Sequence, residues 1–266
     1  MISVAAVCHT QKTYGVSMRL KDKVAIVTGA ASGFGRGIAE AFAREGAKVV
    51  VADLNAEGAV EVSRSLGDSA SAATCNVAIR ADVEAMVGMA VEKFGGVDIL
   101  VNNAGYTHKN QSLLTVSEEE FDRIYAVNVK AIYLATLAIV PVFEKRGGGV
   151  IINTASTAGV RPRPGLTWYN GSKGAAIILT KSMAAELAPK NIRVNAINPV
   201  IGETGMLEQF MGLPDTPENR AKFVASIPLG RMSKPSDIAN AALFFADPAS
   251  GFITGVCMEV DGGRCV

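Results

Sequence analysis

The chain has 266 residues, of which 26 are Lys or Arg and 25 are Asp or Glu, so its formal net charge is +1. Its 49% hydrophobic residues suffice for a sizeable core, and the near-zero charge without basic runs excludes the electrostatic surface that nucleic-acid binding requires. The sequence contains no run of 18 apolar residues, so no membrane span is predicted. The four cysteines lack the spacing of a zinc finger or a disulfide scaffold, so we expect no metal centre and a cytoplasmic location.

The first 18 residues differ from the rest of the chain. His9–Thr13 interrupts the apolar stretch Val4–Cys8, so the hydrophobic region of a signal peptide, about 7–15 residues long, does not form. We expect residues 1–18 to be a poorly ordered extension, or to lie upstream of a start at Met18. Residues 19–266 are predicted to form one domain, because neither a Pro/Ser-rich linker nor an internal repeat divides them.

From Lys23 onward, short apolar strands alternate with helices. Strands are predicted at Val24–Val27, Lys48–Ala52, Ala72–Cys75, Val97–Val101, Val150–Asn153, Arg193–Ile197 and Cys257–Val260. Helices are predicted at Gly37–Arg44, Ala56–Leu66, Ala81–Phe94, Phe121–Lys145, Tyr169–Leu187 and Ser236–Phe245. Because parallel neighbours need crossover connections, this alternation predicts an α/β fold, a single Rossmann-like doubly wound domain with a seven-stranded parallel sheet.

The first strand runs into a glycine-rich turn. Gly29, Gly33 and Gly35 follow the pattern Gly-x-x-x-Gly-x-Gly, which differs from the Gly-x-Gly-x-x-Gly dinucleotide fingerprint. Their missing Cβ atoms allow a tight turn in which backbone N–H groups approach a pyrophosphate at the start of the next helix. The location between the first strand and the first helix favours a nucleotide site over a purely structural turn.

The second strand is followed by Asp53, which lies 18 residues after Gly35. A carboxylate there accepts hydrogen bonds from both ribose hydroxyls of an adenosine and repels a 2′-phosphate. The neighbouring Ser32 and Leu54 offer that phosphate no cation. The alternative is that Asp53 caps a helix, and the combination of features predicts NAD as the cofactor over NADP.

A tyrosine and a lysine lie four residues apart on one predicted helix. Tyr169 alone among the five tyrosines has lysine, Lys173, at the fourth position after it, which places both side chains on one helix face. Ser156 follows the fifth strand. Because the carboxyl ends of parallel strands meet at the ligand crevice, we expect Ser156 and Tyr169 to lie together there.

Several motifs in this order resemble the short-chain dehydrogenase/reductase family, over about residues 20–263. They are Thr28-Gly29-x-x-x-Gly33-x-Gly35, Asn102-Asn103-Ala104-Gly105, Asn128, Ser156, Tyr169-x-x-x-Lys173 and Asn198-Pro199. The resemblance implies an NAD(P)-dependent enzyme that interconverts a secondary alcohol and a ketone by hydride transfer. The branches it most resembles are sugar dehydrogenases and 3-oxoacyl-[acyl-carrier-protein] reductases.

The resemblance implies four catalytic residues. Tyr169 is the acid and base, its phenolate favoured by the nearby ammonium of Lys173 and by the positive nicotinamide ring. Ser156 donates a hydrogen bond to the substrate oxygen, and Lys173 also holds the nicotinamide ribose. Asn128 supports a water-mediated proton relay to that lysine, and its alternative is a polar residue that bends the helix.

The resemblance also implies a set of cofactor contacts. These residues are Gly29, Ser32, Gly33, Phe34, Gly35, Asp53, Leu54, Asn76, Val77, Asn103, Ala104, Gly105, Tyr169, Lys173, Pro199 and Thr204. Asn76 stands where many relatives carry Asp, which weakens the expectation of a contact with the adenine amino group. Val200 replaces the usual glycine after Pro199, so the local loop shape is expected to differ.

A substrate lid is expected over about residues 203–231. Its flexible apolar residues are Met206, Leu207, Phe210, Met211 and Leu213, which either close over a ligand or pack against the domain or a partner subunit. Arg161 and Arg163 lie in the segment before Tyr169. Their side chains either contact an anionic substrate or an acyl-carrier surface, or are exposed to solvent, and solvent exposure is the favoured alternative. Trp168 and His108 flank the site, His108 as a polar loop residue.

The expected partners are a small alcohol or carbonyl substrate and further copies of this chain, with neither nucleic acid nor membrane. The resemblance implies a homotetramer assembled through Phe121–Lys145 and Tyr169–Leu187, the latter with a surplus of apolar surface. The leading function is a sugar, polyol or other small-alcohol dehydrogenase. The alternatives are a 3-oxoacyl-[acyl-carrier-protein] reductase and, from another class, a catalytically silent dinucleotide-binding regulator.

Overall fold

Seven parallel strands form one sheet in the computed structural model, which describes residues 18–266, in the order β3-β2-β1-β4-β5-β6-β7. The strands are β1 (Val24–Thr28), β2 (Lys48–Asp53), β3 (Ala70–Thr74), β4 (Ile99–Asn102), β5 (Gly149–Thr154), β6 (Ile192–Pro199) and β7 (Cys257–Val260). The predicted parallel sheet is confirmed. The expectation for residues 1–18 falls, apart from Met18, outside the described residues.

Helices cover both faces of the sheet. They are α1 (Gly33–Arg44), α2 (Ala56–Ser65), α3 (Arg80–Phe94), α4 (Glu118–Tyr125), α5 (Ala131–Arg146), α6 (Thr167–Leu187), α7 (Leu207–Met211), α8 (Pro217–Val224) and α9 (Pro235–Ala246). One apolar core joins α1, α2 and α9 to one face, and the other joins α3, α5 and α6 to the opposite face. The inner strands are therefore buried on both sides, as their continuous apolar runs predicted, while the edge strands β3 and β7 are mostly half-buried.

The strand order reverses beside β1. The chain first builds outward through β2 and β3 and then returns to place β4 on the other side of β1. In an open parallel sheet such a reversal leaves a crevice outside the carboxyl ends of the two strands that flank it. The loops after Thr28 and Asn102 lie at this crevice, which is where the sequence motifs fall.

The predicted helix Phe121–Lys145 is longer and less regular than expected. It spans Glu118–Arg146 and contains a π-helical segment, Ala126–Lys130, which separates α4 from α5. The extra residue in this turn shifts the helical register and changes the direction of the side chains within it. By length and composition the span is apolar enough to cross a membrane, and in this fold its Ile139 and Phe143 are fully buried against the sheet.

Two short helices between β6 and α9 were not predicted. Helices α7 and α8 form a small apolar cluster with the end of β6, in which Leu207 and Met211 are buried. The packing alternative is therefore correct for Leu207 and Met211. Helix α1 also begins four residues before its predicted start, at Gly33, because the last glycines of the turn belong to its first turn.

Candidate active site

A cavity of about 390 Å³ opens at the carboxyl ends of the strands. Three of the four proposed catalytic residues, Ser156, Tyr169 and Lys173, line it. Of the sixteen proposed cofactor residues, only Gly35 is not in its wall. Gly35 and Asn128 lie behind the cavity wall, where Gly35 contacts Gly29 and Asn128 forms hydrogen bonds to Tyr106.

The glycine turn has a shape that other residues do not permit. Gly29 and Gly33 have positive φ angles of 64° and 55°. A Cβ at Gly29 would lie 2.8 Å from the Cα of Ala104, and one at Gly35 would overlap the carbonyl oxygen of Gly29. The three glycines therefore bring the start of α1 against the loop after β4, as required for close backbone approach to a phosphate.

The start of α1 is free to bind an anion. The side chain of Ser32, at the N-cap, accepts no hydrogen bond from the helix, and the first turn carries no acidic residue. The first amides of a helix carry partial positive charge and lack intrahelical acceptors. This turn fits the pyrophosphate of a dinucleotide.

Asn103 braces the turn from the neighbouring strand end. Its side-chain nitrogen donates to the carbonyl oxygens of Thr28 and Gly29, at 2.9 and 3.2 Å. The Thr28 hydroxyl accepts from the backbone nitrogens of Asn103 and Ala104, at 3.0 and 3.1 Å. The two loops that border the crevice are thus joined by four hydrogen bonds, which fix the floor of the cavity.

Asp53 lies at the far end of the cavity, and it does not cap a helix. Its carboxylate accepts from the backbone nitrogens of Ala31 and Asn55, each at 2.9 Å, while Asn55 itself is the N-cap of α2. The helix-cap alternative is wrong for this reason. The two amides orient the carboxylate in the cavity wall, next to the exposed Leu54.

The phenol of Tyr169 is buried and paired with a serine. Burial raises the pKa of Tyr169 to about 12, while a hydrogen bond with the Ser156 hydroxyl and the charge of Arg163 act to lower it. The charge that acts to lower the pKa of the free phenol is that of Arg163. The effect of the Lys173 ammonium on the phenolate stays a prediction for the enzyme with its cofactor bound.

Lys173 is held behind the tyrosine. Its Nζ donates a 2.8 Å hydrogen bond to the carbonyl oxygen of Thr154 and lies 5.8 Å from the centre of the Tyr169 ring. Burial lowers the pKa of Lys173 to about 8. At neutral pH the ammonium is therefore held close to deprotonation, which suits a group that passes a proton on.

Asn128 lies in the π-helical segment and is buried. Its Oδ1 accepts from the backbone nitrogen of Tyr106, and its Nδ2 donates to the carbonyl oxygen of Tyr106 and to the Ser172 hydroxyl, each at 2.9 Å. A Cβ at Gly105 would lie 3.5 Å from Lys173 Nζ and 3.6 Å from Asn128 Oδ1. The amide and the ammonium therefore border the same small space.

The remaining cofactor candidates lie along the same wall. Asn76 uses its side-chain oxygen to accept from the backbone nitrogen of Ala78, at 3.1 Å. Thr204 packs against the glycine turn, because its Cγ2 would lie 3.2 Å from a Cβ at Gly33. Val77 and Pro199 line the cavity through apolar contacts.

The substrate side is largely apolar, and two arginines, Arg123 and Arg163, line the cavity. Phe210 contacts the edge of the Tyr169 ring, with 5.2 Å between centroids, and Met206 and Leu166 complete this wall. Solvent exposure was favoured for both loop arginines; it is correct for Arg161 and wrong for Arg163, whose side chain lines the cavity.

Two further residues expected near the site lie outside it. Trp168 donates to the carbonyl oxygen of Leu113, and buried His108 has its Nδ1 2.7 Å from the carbonyl oxygen of Lys109. Neither side chain lines the cavity. Among residues 18–266 no three His, Cys, Asp or Glu side chains are grouped as a metal site would require.

Comparisons with known proteins agree with this geometry. Residues 29–264 match the family model described as enoyl-(acyl carrier protein) reductase. The chain is 52% identical to 4-formylbenzenesulfonate dehydrogenase TsaC1/TsaC2 of Comamonas testosteroni, over 93% of this chain and 99% of that protein. It is 39% identical to the 3-oxoacyl-[acyl-carrier-protein] reductase FabG of Thermotoga maritima, over 94% of this chain and 100% of that protein.

A solved structure is similar along the same length. The crystal structure of 3-ketoacyl-(acyl-carrier-protein) reductase from Brucella melitensis, complexed with NADH, superposes with a TM-score of 0.88 at 50% identity, over 93% of this chain and 100% of that one. The two relatives and the Brucella melitensis protein are all named as dehydrogenases or reductases. The protein is accordingly an oxidoreductase of alcohol and ketone groups with a site for a nicotinamide dinucleotide.

Proposed function

The chain belongs to the short-chain dehydrogenase/reductase family, and from that premise we propose that it interconverts a secondary alcohol and a ketone with NAD as its cofactor and Tyr169 as the acid and base. The observation that carries this proposal is the meeting of Ser156, Tyr169 and Lys173 in one cavity whose other end holds Asp53. A silent nucleotide-binding regulator has no need of that set of side chains.

The chain's own residues supply proton transfer and charge stabilisation. In alcohol oxidation, the oxygen of Tyr169 takes the hydroxyl proton, and the Ser156 hydroxyl donates a hydrogen bond to the substrate oxygen as negative charge develops. A nicotinamide dinucleotide, its ribose held by Lys173, would supply the hydride acceptor for this oxidation. Before this step the phenol must lose its own proton, and the neutral amine of Lys173, whose pKa is lowered to about 8, accepts it through the space that Lys173 shares with Asn128. Reduction runs through the same groups in reverse.

The preference for NAD rests on charge at the adenosine end. Asp53 is oriented by two backbone amides and places negative charge where the 2′-phosphate of NADP would lie. Arg36, the first cation after the turn, pairs with Glu40 at 2.8 Å and with Glu61 at 3.5 Å. These two carboxylates compete with a 2′-phosphate for the guanidinium of Arg36.

The walls on the substrate side favour an apolar alcohol over a polyol. Met206, Phe210 and Leu166 offer no hydrogen-bonding side chains to a row of sugar hydroxyls. Small-alcohol dehydrogenase is thus the favoured branch, and 3-oxoacyl-[acyl-carrier-protein] reductase is the second, supported by the relatives that carry this name. Residues 203–231 act as the lid in either case, since Met206 and Phe210 extend from it into the cavity.

The proposed quaternary state is a homotetramer in the cytoplasm. Tyr133 and Leu137 on α5 are 54% and 44% exposed, and Ile178 on α6 is 61% exposed. Large apolar side chains grouped on two long helices are typical of a surface that another subunit covers. Neither nucleic acid nor a membrane is a proposed partner.

The test is calorimetric titration of the purified protein with NADH and, separately, with NADPH at matched salt. Tighter binding of NADH by about tenfold, or about 1.4 kcal/mol, supports the proposal that Asp53 selects NAD over NADP. Tighter binding of NADPH overturns it and favours the reductase branch. Binding of neither cofactor overturns the proposed reaction.

A further inference from the structure

Arg163 lies on the substrate side of the cavity. It belongs to the loop between Ser156 and α6, and its guanidinium carbon lies 5.5 Å from the centre of the Phe223 ring, on lid helix α8. Its carbonyl oxygen accepts from the side chain of Asn170, at 2.8 Å, which fixes the loop to the start of α6. Arg163 and Tyr169 line the same cavity, and the charge of Arg163 acts on the phenol.

This guanidinium has no acidic partner among the described residues. Two other arginines do have one, since Arg220 pairs with Asp215 and Arg231 with Asp237. Burial lowers the pKa of Arg163, and no carboxylate acts to raise it. A partly buried cation that lacks an anion is unfavourable in the free protein, and a bound anion removes that penalty.

A second guanidinium lies close enough to act on the first. The charge of Arg264 contributes to the lowered pKa of Arg163. The Nε and Nη1 atoms of Arg264 are buried without a hydrogen-bond partner. Arg264 does not line the cavity, so its charge supports Arg163 from behind the cavity wall.

We infer that Arg163, supported by Arg264, binds a carboxylate or sulfonate group on the substrate, whose carbinol or carbonyl carbon lies at Tyr169. The planar guanidinium fork matches an oxyanion with two hydrogen bonds. Between the two polar ends the wall is apolar, formed by Leu166 and Phe210. The substrate class is therefore an alcohol or ketone whose apolar, ring-sized body carries an anionic group at the far end. This inference rests on the proposed function.

The phosphates of the cofactor are the competing anions. They are expected at the glycine turn that starts α1, whereas Arg163 lies in the loop before α6 and against the lid. An effect of Arg163 on the binding of NADH would therefore contradict the inference. Its removal is expected to leave the affinity for NADH within about twofold.

The test compares two ketones of nearly equal shape, 4-acetylbenzoate and neutral 4-acetylbenzamide. Each is titrated calorimetrically into the enzyme saturated with NAD⁺, in which the ketone cannot be reduced, so binding is measured apart from turnover. The wild-type protein is expected to bind the benzoate at least about tenfold more tightly, the strength of a charge-assisted hydrogen bond. Arg163→Gln is expected to abolish this preference, and Arg64→Gln, which removes an exposed charge on α2, to keep it.

Equal affinities in the wild-type protein, binding of neither ketone, or a preference that survives Arg163→Gln would overturn the inference. Should Arg163→Gln fail to fold, the test uses Arg264→Gln. In that variant the preference for the benzoate over the benzamide is expected to fall by about threefold or more, and an unchanged preference counts against the inference. Oxidation of 4-(1-hydroxyethyl)benzoate and of neutral 1-phenylethanol with NAD⁺ is measured in parallel. Absence of both reactions overturns the proposed function separately, because the binding comparison does not depend on turnover.

Discussion

Asn128 forms hydrogen bonds to both polar groups of the Tyr106 backbone, its Oδ1 accepting from the nitrogen and its Nδ2 donating to the carbonyl oxygen, each at 2.9 Å. A side-chain amide that pairs with a backbone in this way replaces a strand neighbour. It holds the loop after β4 at a fixed distance from the π-helical segment. The loop includes Gly105, which faces Lys173, so the position of the lysine pocket depends on this pair.

Replacing Asn128 with Ala is expected to leave two backbone groups of Tyr106 buried without partners. The expected loss is about 2–4 kcal/mol in the free energy of unfolding, together with a fall in kcat of at least about tenfold. Urea denaturation and steady-state kinetics measure the two effects. Ser172→Ala is the matched control: it removes one bond from Asn128 and the bond from the Ser172 hydroxyl to the Tyr169 carbonyl oxygen, keeps both bonds to Tyr106, and is expected to lose less. Equal losses in the two variants would contradict this account.

Lys173 is expected to make the protein more stable as the pH rises. Its pKa is about 8 in the folded protein and near 10.5 in the unfolded chain, so between these values the unfolded chain binds more protons. Stability from this group therefore increases from pH 8 to 10.5, and below pH 8 the penalty is on the order of 3 kcal/mol.

Lys173→Met removes that penalty together with the hydrogen bond to Thr154. The variant is expected to be more stable than the wild-type protein at pH 7 by about 1–2 kcal/mol, because the lost bond offsets part of the gain, and to be inactive. Urea denaturation at pH 7 and pH 9.5 measures the difference, which is expected to narrow at the higher pH. A difference that stays constant with pH would show that the lysine is not the titrating group.

Tyr169 is expected to ionise only in strongly alkaline solution when the protein is free of ligands. Burial raises the pKa of its phenol to about 12, against about 10 for an ordinary tyrosine. The ultraviolet difference titration of wild-type protein minus Tyr169→Phe is expected to show one group above pH 11. Tyr169→Phe should also lower kcat by about 10²–10⁴-fold while it retains the affinity for NADH. An ionisation near pH 10 would mean that the phenol is solvated.

Much of this site follows from local sequence. The strands are continuous apolar runs, and the glycines of the turn are needed where φ is positive and where the chain closely approaches the loop after β4. The apolar runs and the positive φ angles are local, whereas the close approach of Gly29 to Ala104 joins segments 75 residues apart in sequence. Tyr169 and Lys173 are also positioned locally, because their spacing of four places them on one face of α6.

The features that were not predicted depend on packing between distant segments. The π-helical segment around Asn128 is an extra residue in a turn, and the hydrophobic pattern hardly changes across it. The side chain of Arg163 belongs to an irregular loop without periodicity, so its direction follows from contact with Phe223 on the lid. Arg264 is 101 residues away in sequence, and its unpaired donors become visible only once the chain is folded.

The cofactor preference is expected to reverse when charge is changed at the end of β2. Asp53→Asn keeps one acceptor for the amides of Ala31 and Asn55 but removes the negative charge. The ratio of NADH to NADPH affinity is expected to fall about tenfold, and to fall further in the double variant Asp53→Asn/Leu54→Arg, which adds a cation for the 2′-phosphate. Calorimetry with both cofactors measures this. Leu54→Gln alone is the control, and a ratio unchanged in the double variant would contradict the role of Asp53.

The exposed apolar face of α5 and α6 is expected to be the contact between subunits. Ile178→Glu places a charge where the proposed tetramer buries an apolar side chain, and an unpaired buried charge weakens association strongly. The wild-type protein is expected to have four times the mass of one chain in light scattering, and the variant a smaller mass. Leu114→Glu is the control, because Leu114 is 86% exposed and lies outside both helices. A monomeric wild-type protein, or a variant that remains a tetramer, would show that this face is not the contact.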